Sequence, residues 1–214
     1  SIATIIGTAA LVLWPVAAAV GGSFSTLVDG SLDPAGDPSA YLAAVAASPG
    51  LWAAYSLGML VMALLVAASV PAVWRLTVER TPAWAWASAV LGALFFMGLS
   101  VHLMSWPTLI GALAVAEIDP AAAMTVVSAI DGQWFFWAIF APFLVGSILA
   151  PLVAGVALFR GRLIPLWSLV ALVLATVLMG VSGTDELWQT TLYVVLMLVA
   201  YAPALITVLR RRRS

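Results

Sequence analysis

Residues 51–74 read LWAAYSLGMLVMALLVAASVPAVW, an apolar stretch with no charged side chain before Arg75. A bilayer core about 30 Å thick needs about 20 apolar residues in a helix to cross it. Backbone amides in hydrocarbon must be satisfied within the segment, and a run rich in Leu and Ala does this as a helix, not as an alternating barrel strand. The stretch therefore predicts a membrane-spanning helix. Five more of the same kind lie at 2–22, 83–105, 134–159, 164–182 and 187–209. The expected fold class is all-α: a polytopic membrane protein whose six transmembrane helices form three hairpins, at 2–74, 83–159 and 164–209, within a single transmembrane domain over 1–214.

Composition agrees. Hydrophobic residues make up 64% of the chain and charged residues 8%, against roughly 45–50% and 25% in soluble domains. The absence of cysteine excludes disulfides, thiol chemistry and cysteine metal sites. The absence of lysine excludes a Schiff base. A lone histidine, His102, cannot supply two imidazoles to a haem or a histidine-rich metal site from one copy of the chain. No cofactor and no metal are expected.

The eight basic residues are all arginine and fall in three places: Arg75 and Arg80, Arg160 and Arg162, and the run 210–213. Each place follows or joins helices on one side, which the positive-inside rule makes cytoplasmic, with both termini. Eight acids, Asp29, Asp33, Asp37, Glu117, Asp119, Asp131, Asp185 and Glu186, then lie outside, and Glu79 lies inside. The first helix lacks a basic region before it and is long enough to span, so it is read as a retained helix rather than a signal peptide. The terminal arginines anchor the last helix among anionic lipids and predict no nucleic-acid partner. Arginine without lysine, with abundant Ala and Val, is associated with GC-rich bacteria, which places the chain in a bacterial inner membrane.

A repeat runs through the first two hairpins. Trp14-Pro15 is expected to close the first helix and Trp106-Pro107 the third, and each is followed by an Asp-Pro pair, at Asp37-Pro38 and Asp119-Pro120. From Pro38 it is twelve residues to Gly50 and fourteen to Trp52; from Pro120 it is twelve to Gly132 and fourteen to Trp134. Asp is a good N-cap and Pro suits the first helical position, so 38–48 and 120–130 read as two short outer-surface helices ended near a glycine. The two hairpins would then be parallel repeats, with the short helices as a lid over a ligand space.

No strong catalytic motif is present, so a site must come from polar groups near the membrane. Glu186, Gln189, Thr190, Tyr193 and Tyr201 follow helical spacing on one face of the sixth helix. Interhelical hydrogen bonding explains that face as well as catalysis does. His102 stands one turn before Trp106, so both can point into one space, although a histidine bonded across the bundle has the same spacing. Glu117 and Asp131 read as solvated loop charges. The outer half also holds Trp14, Trp52, Trp134, Trp137, Trp188, Tyr55 and Phe135. An aromatic belt explains most of them; turned inward beside an acid, such rings would stabilise a cation made by protonating an alkene or epoxide.

The stretch Asp37-Pro38-Ser39-Ala40-Tyr41-Leu42-Ala43-Ala44-Val45-Ala46, followed by an apolar helix to Val70-Pro71-Ala72-Val73-Trp74-Arg75, resembles a bacterial family of six-helix integral membrane proteins of unknown function. The likeness covers about the first hundred residues. It implies the topology and no activity.

Three functions follow. The first is a membrane enzyme, of the terpene cyclase kind, acting on a lipophilic, isoprenoid-like substrate by acid-initiated chemistry. Glu186 or Asp185 would be the acid and His102 its assistant, with Trp106, Trp137, Tyr193, Tyr55, Trp14 and Gln189 lining the cavity. The second is a carrier or binding protein for a hydrophobic or cationic small molecule in the same cavity. The third is an accessory subunit, since small-residue runs such as 43–47 permit close helix contacts, which equally allow a homo-oligomer. Membrane lipids are the other expected partner.

Overall fold

A computed structural model describes residues 1–29, 32, 37–116, 118–182 and 187–213. These residues form α1 (Ile2–Asp29), α2 (Pro38–Ala47), α3 (Pro49–Thr77), α4 (Pro82–Leu103), a π-helical turn (Met104–Thr108), α5 (Leu109–Val115), α6 (Pro120–Asp131), α7 (Trp134–Arg160), α8 (Leu166–Ser182) and α9 (Leu187–Arg213). No strand occurs among them. Five helical stretches, Ile2–Val28, Pro49–Thr77, Pro82–Val115, Trp134–Arg160 and Trp188–Arg212, are long and apolar enough to cross a membrane. α8 stands where another span was expected and is shorter, 17 residues or about 26 Å at 1.5 Å per residue.

The long helices pack in chain order as a ring: α1 on α3, α3 on α4, α4 on α7, α7 on α8, α8 on α9, and α9 back on α1. Leu57, Leu60 and Leu64 of α3 and Val170, Val173 and Val177 of α8 face outward, as lipid contact requires. Lipid is as apolar as leucine, so burial in hydrocarbon does not hold these helices together; close packing does. α1 and α3 meet where Gly21 faces Gly58, and a Cβ on Gly58 would lie 2.6 Å from Gly21 Cα. α4 and α7 exchange contacts: Phe143 sits against Gly98 and Phe95 against Gly146, and the two phenyl rings stack at 5.8 Å. Inside the ring, the Tyr201 hydroxyl donates to Pro151 O at 2.9 Å.

The two expected short helices are present, with the expected caps. Asp37 accepts from the Ala40 amide at 3.0 Å and Asp119 from the Ala122 amide at 2.9 Å. Gly132 ends α6, but Gly50 does not end α2: Ser48 does, and Gly50 lies in the first turn of α3. Tyr41, Leu42 and Val45 of α2 and Ala123, Met124 and Val127 of α6 join Trp52, Tyr55 and Ile110 in a second core. The arginines gather at the opposite end of the ring, where Arg80 Nη1 donates to Gly161 O at 2.7 Å and the Arg160 guanidinium lies 5.5 Å above the Trp84 ring.

The Asp37 cap is pH-sensitive. Its bonds from the Ala40 amide and the Ser39 hydroxyl hold the carboxyl below its ordinary value, because they favour the charged form. A depressed folded value means the stabilisation is present above the ordinary carboxylate range and is lost as pH falls through the folded value. Protection of the Ala40 amide, taken relative to its intrinsic exchange rate at each pH, should therefore fall in acid. Asp37→Asn, which keeps an acceptor but does not titrate, should flatten that dependence; an equally steep profile in the variant would refute the cap as its source.

The two Trp-Pro pairs do not end helices, contrary to expectation. α1 runs through Pro15 to Asp29, and the third span runs through Pro107 to Val115. Proline is a helix stop in water chiefly because its missing amide orphans a carbonyl; in a bundle, side chains can take that carbonyl over.

Candidate functional site

Pro107 cannot donate to Leu103 O four residues back, and the Thr108 hydroxyl fills that role, donating to Leu103 O at 2.9 Å. The chain stays helical through the π turn at Met104–Thr108, a rare form associated with functional sites. On its other side the Trp52 indole N–H donates to Pro107 O at 2.8 Å. Gly111 admits the indole, since a Cβ there would lie 3.0 Å from Trp52 Cδ1 and Nε1.

This turn carries one wall of a pocket of about 200 Å³ lined by His102, Ser105, Trp106, Leu109, Val127, Ile130, Phe136, Trp137 and Phe140. Residues 102, 105, 106 and 109 share one helix face by their spacing. Phe136, Trp137 and Phe140 come from the first turns of α7, and Val127 and Ile130 from α6. The Tyr41 ring of α2 reaches within 6.5 Å of the Trp106 ring, so both short helices bear on the pocket.

Aromatic rings dominate its surface. The His102 imidazole stacks on Phe143 at 5.5 Å and 6° between planes, and lies 6.0 Å from Phe140. Phe136 stacks on Phe140 at 5.1 Å. The series continues inward from Phe143 to Phe95 and from Phe95 to Trp14 at 5.8 Å. Among the described residues His102 is the only titratable side chain on the pocket wall. Among them, too, no three His, Asp or Glu side chains converge as a metal site would.

Of the residues singled out from sequence, His102, Trp106 and Trp137 are brought together here. The others are not. Tyr55 is buried beside Trp52 in the second core. Trp14 and Tyr193 are buried inside the ring. Gln189 lies at the start of α9, whose main neighbours are α1 and α8 rather than α4. Asp185 and Glu186 lie outside the described residues. Phe136 and Phe140 were not singled out. The run 134–137 is aromatic throughout, and only the rotation of α7 decides that Phe136 is buried while Trp134 is 79% exposed.

Chemically, the pocket offers flat apolar faces and one imidazole, whose neutral form can donate one hydrogen bond and accept another. It is smaller than the 300–1,000 Å³ usual for drug-sized ligands. A short apolar molecule, or the end of a longer one, fits such a space. No family model, no curated protein and no solved structure matches this chain.

Proposed function

We propose that this chain binds or carries a small lipophilic molecule with one polar end, held among the rings beneath α6 with its polar end on His102. The observation that carries the reading is the pocket itself, an aromatic slot with a lone imidazole on its wall. The arginine-rich end faces the cytoplasm of a bacterial inner membrane by the positive-inside rule, α8 completes six crossings, and both termini are then inside. The Asp-capped pair α2 and α6 supports a parallel repeat of the first two hairpins, with the pocket under the second copy's short helix.

An apolar ligand dissolved in lipid gains little from leaving it, so selectivity rests on ring contacts and the hydrogen bond. With that bond worth about 1–2 kcal/mol in a membrane interior, His102→Ala should weaken binding of an isoprenoid alcohol about tenfold more than it weakens binding of the matching hydrocarbon, which loses only the ring contact. Quenching of tryptophan fluorescence in detergent measures both. Equal affinity for the alcohol in the wild type and in Trp106→Ala/Trp137→Ala would rule the pocket out.

The enzymatic alternative draws on the run of ring faces from His102 to Trp14, which suits a cationic intermediate. It requires an acid, for which Glu186 and Asp185 are the candidates. Recovery of a converted ligand, abolished in a folded Glu186→Gln variant, would replace the carrier reading with the catalytic one.

A further inference from the structure

Where α1, α3, α4, α7 and α9 converge, the ring leaves a cavity of about 30 Å³. Four polar side chains stand on its otherwise apolar wall: Ser69, Ser88 and Tyr201 with hydroxyls, and Trp14 with an indole N–H. None of the four is more than 6% exposed. Two of them have committed their protons. Ser69 Oγ donates to Val66 O at 2.8 Å and the Tyr201 hydroxyl to Pro151 O at 2.9 Å, which leaves each oxygen free to accept. The other two have not. Ser56 and Ser100 donate to the turn before them, as helical serines do. The Ser88 hydroxyl and the Trp14 N–H meet no acceptor among the described residues, and protein does not seal them over as it does Trp74 Nε1 and Ser168 Oγ.

We infer that this cavity is a site for ordered water inside the bundle. At about 10–15 Å³ for each molecule, its volume admits one or two. The wall offers two donors without acceptors and two acceptors without donors, and water, with two of each, complements both. A buried cation would take the Ser69 and Tyr201 oxygens but would face the Trp14 N–H, and no carboxylate lines the cavity to offset its charge. An apolar occupant would leave all four groups unmet, at a depth where no bulk water reaches them. Buried waters make about three hydrogen bonds each to groups of this kind. The site is separate from the aromatic pocket and does not depend on what that pocket binds. Its consequence is mechanical: Ser88 of α4 and Tyr201 of α9 belong to helices that are not neighbours in the ring, so water between them acts as a strut across its middle.

A high-resolution crystal structure of the full chain, with and without xenon pressure, tests the site. The wild type should show one or two oxygen peaks in the cavity at hydrogen-bond distance, about 2.7–3.2 Å, from Ser88 Oγ and from Ser69 Oγ or Tyr201 Oη, and should take up no xenon there. Dry apolar cavities bind xenon and wet ones do not, so xenon at this position would overturn the proposal, as would a cavity without a peak. Ser88→Thr keeps the hydroxyl and should keep the water; Ser88→Ala should lose the peak beside residue 88. A peak unchanged in Ser88→Ala would show that Ser88 does not hold it and would remove the strut to α4. The wild-type result stands whether or not that variant folds. Thermal unfolding in sodium chloride and in choline chloride at equal ionic strength should give the same midpoint, and a rise specific to sodium would replace the water with a cation.

Discussion

Gly98→Ala should destabilise the protein by about 3 kcal/mol, the upper end of the usual cost of overpacking a filled interior. A Cβ at Gly98 would lie 2.2 Å from Phe143 Cβ, 2.7 Å from its Cα and 2.8 Å from its N. Two of those atoms are backbone, so no rotamer change relieves the clash and α7 must move away from α4. Gly155→Ala meets Leu172 Cδ2 at the same 2.2 Å, but a leucine tip can rotate, so its cost should be smaller. Gly22→Ala meets nothing within 4 Å and should be neutral or stabilising by up to about 1 kcal/mol through helix propensity. Thermal unfolding followed by tryptophan fluorescence ranks the three. A midpoint for Gly98→Ala no lower than that for Gly22→Ala would refute the packing of α4 on α7. Ligand binding should fall in the same variant, because Phe143 is the face on which His102 stacks.

The second large effect is expected at Trp52. Trp52→Ala removes a side chain only 5% exposed, with a cost of about 3–5 kcal/mol for a buried tryptophan. Trp52→Phe keeps most of the volume and loses the donor to Pro107 O, costing about 1 kcal/mol. The two variants separate packing from hydrogen bonding. In both, amide exchange over 104–115 should rise, since the indole ties the π turn to α3. In Trp52→Ala the pocket should also lose affinity, because Ser105 and Trp106 ride on that turn. Unchanged exchange over 104–115 in Trp52→Ala would show that the turn holds without it.

Membrane class was legible because lipid imposes it through length and apolarity, and both are read directly from stretches such as 51–74. The short helices were legible for a different reason. Asp37 and Asp119 act on amides three residues away, so their effect is local and survives any tertiary arrangement. Helix ends at Trp14-Pro15 and Trp106-Pro107 were misread because a proline inside a bundle need not stop a helix, and at Pro107 the carbonyl it orphans is taken by a side chain. Thr108 is adjacent in sequence and could have warned of it; Trp52 is 55 residues from Pro107. Rotation about helix axes was not legible at all. Tyr55, Trp14 and Tyr193 share the composition and depth expected of site residues, yet each turns into packing, while Phe136 and Phe140 turn into the pocket. Helices with apolar residues on every side give no sequence signal that separates the inward face from the lipid face.

The order of packing around the ring bears on how the chain matures. Each long helix rests against the one made just before it, so those contacts can form while synthesis continues, at low cost in loop closure. The seam between α1 and α9 is different: that flank of α1 stays open until α9, the last of the described helices, is in place. Removal of α9 would leave this flank of α1 uncovered and the ring open, so the order of α1 depends on a helix more than 150 residues away in sequence.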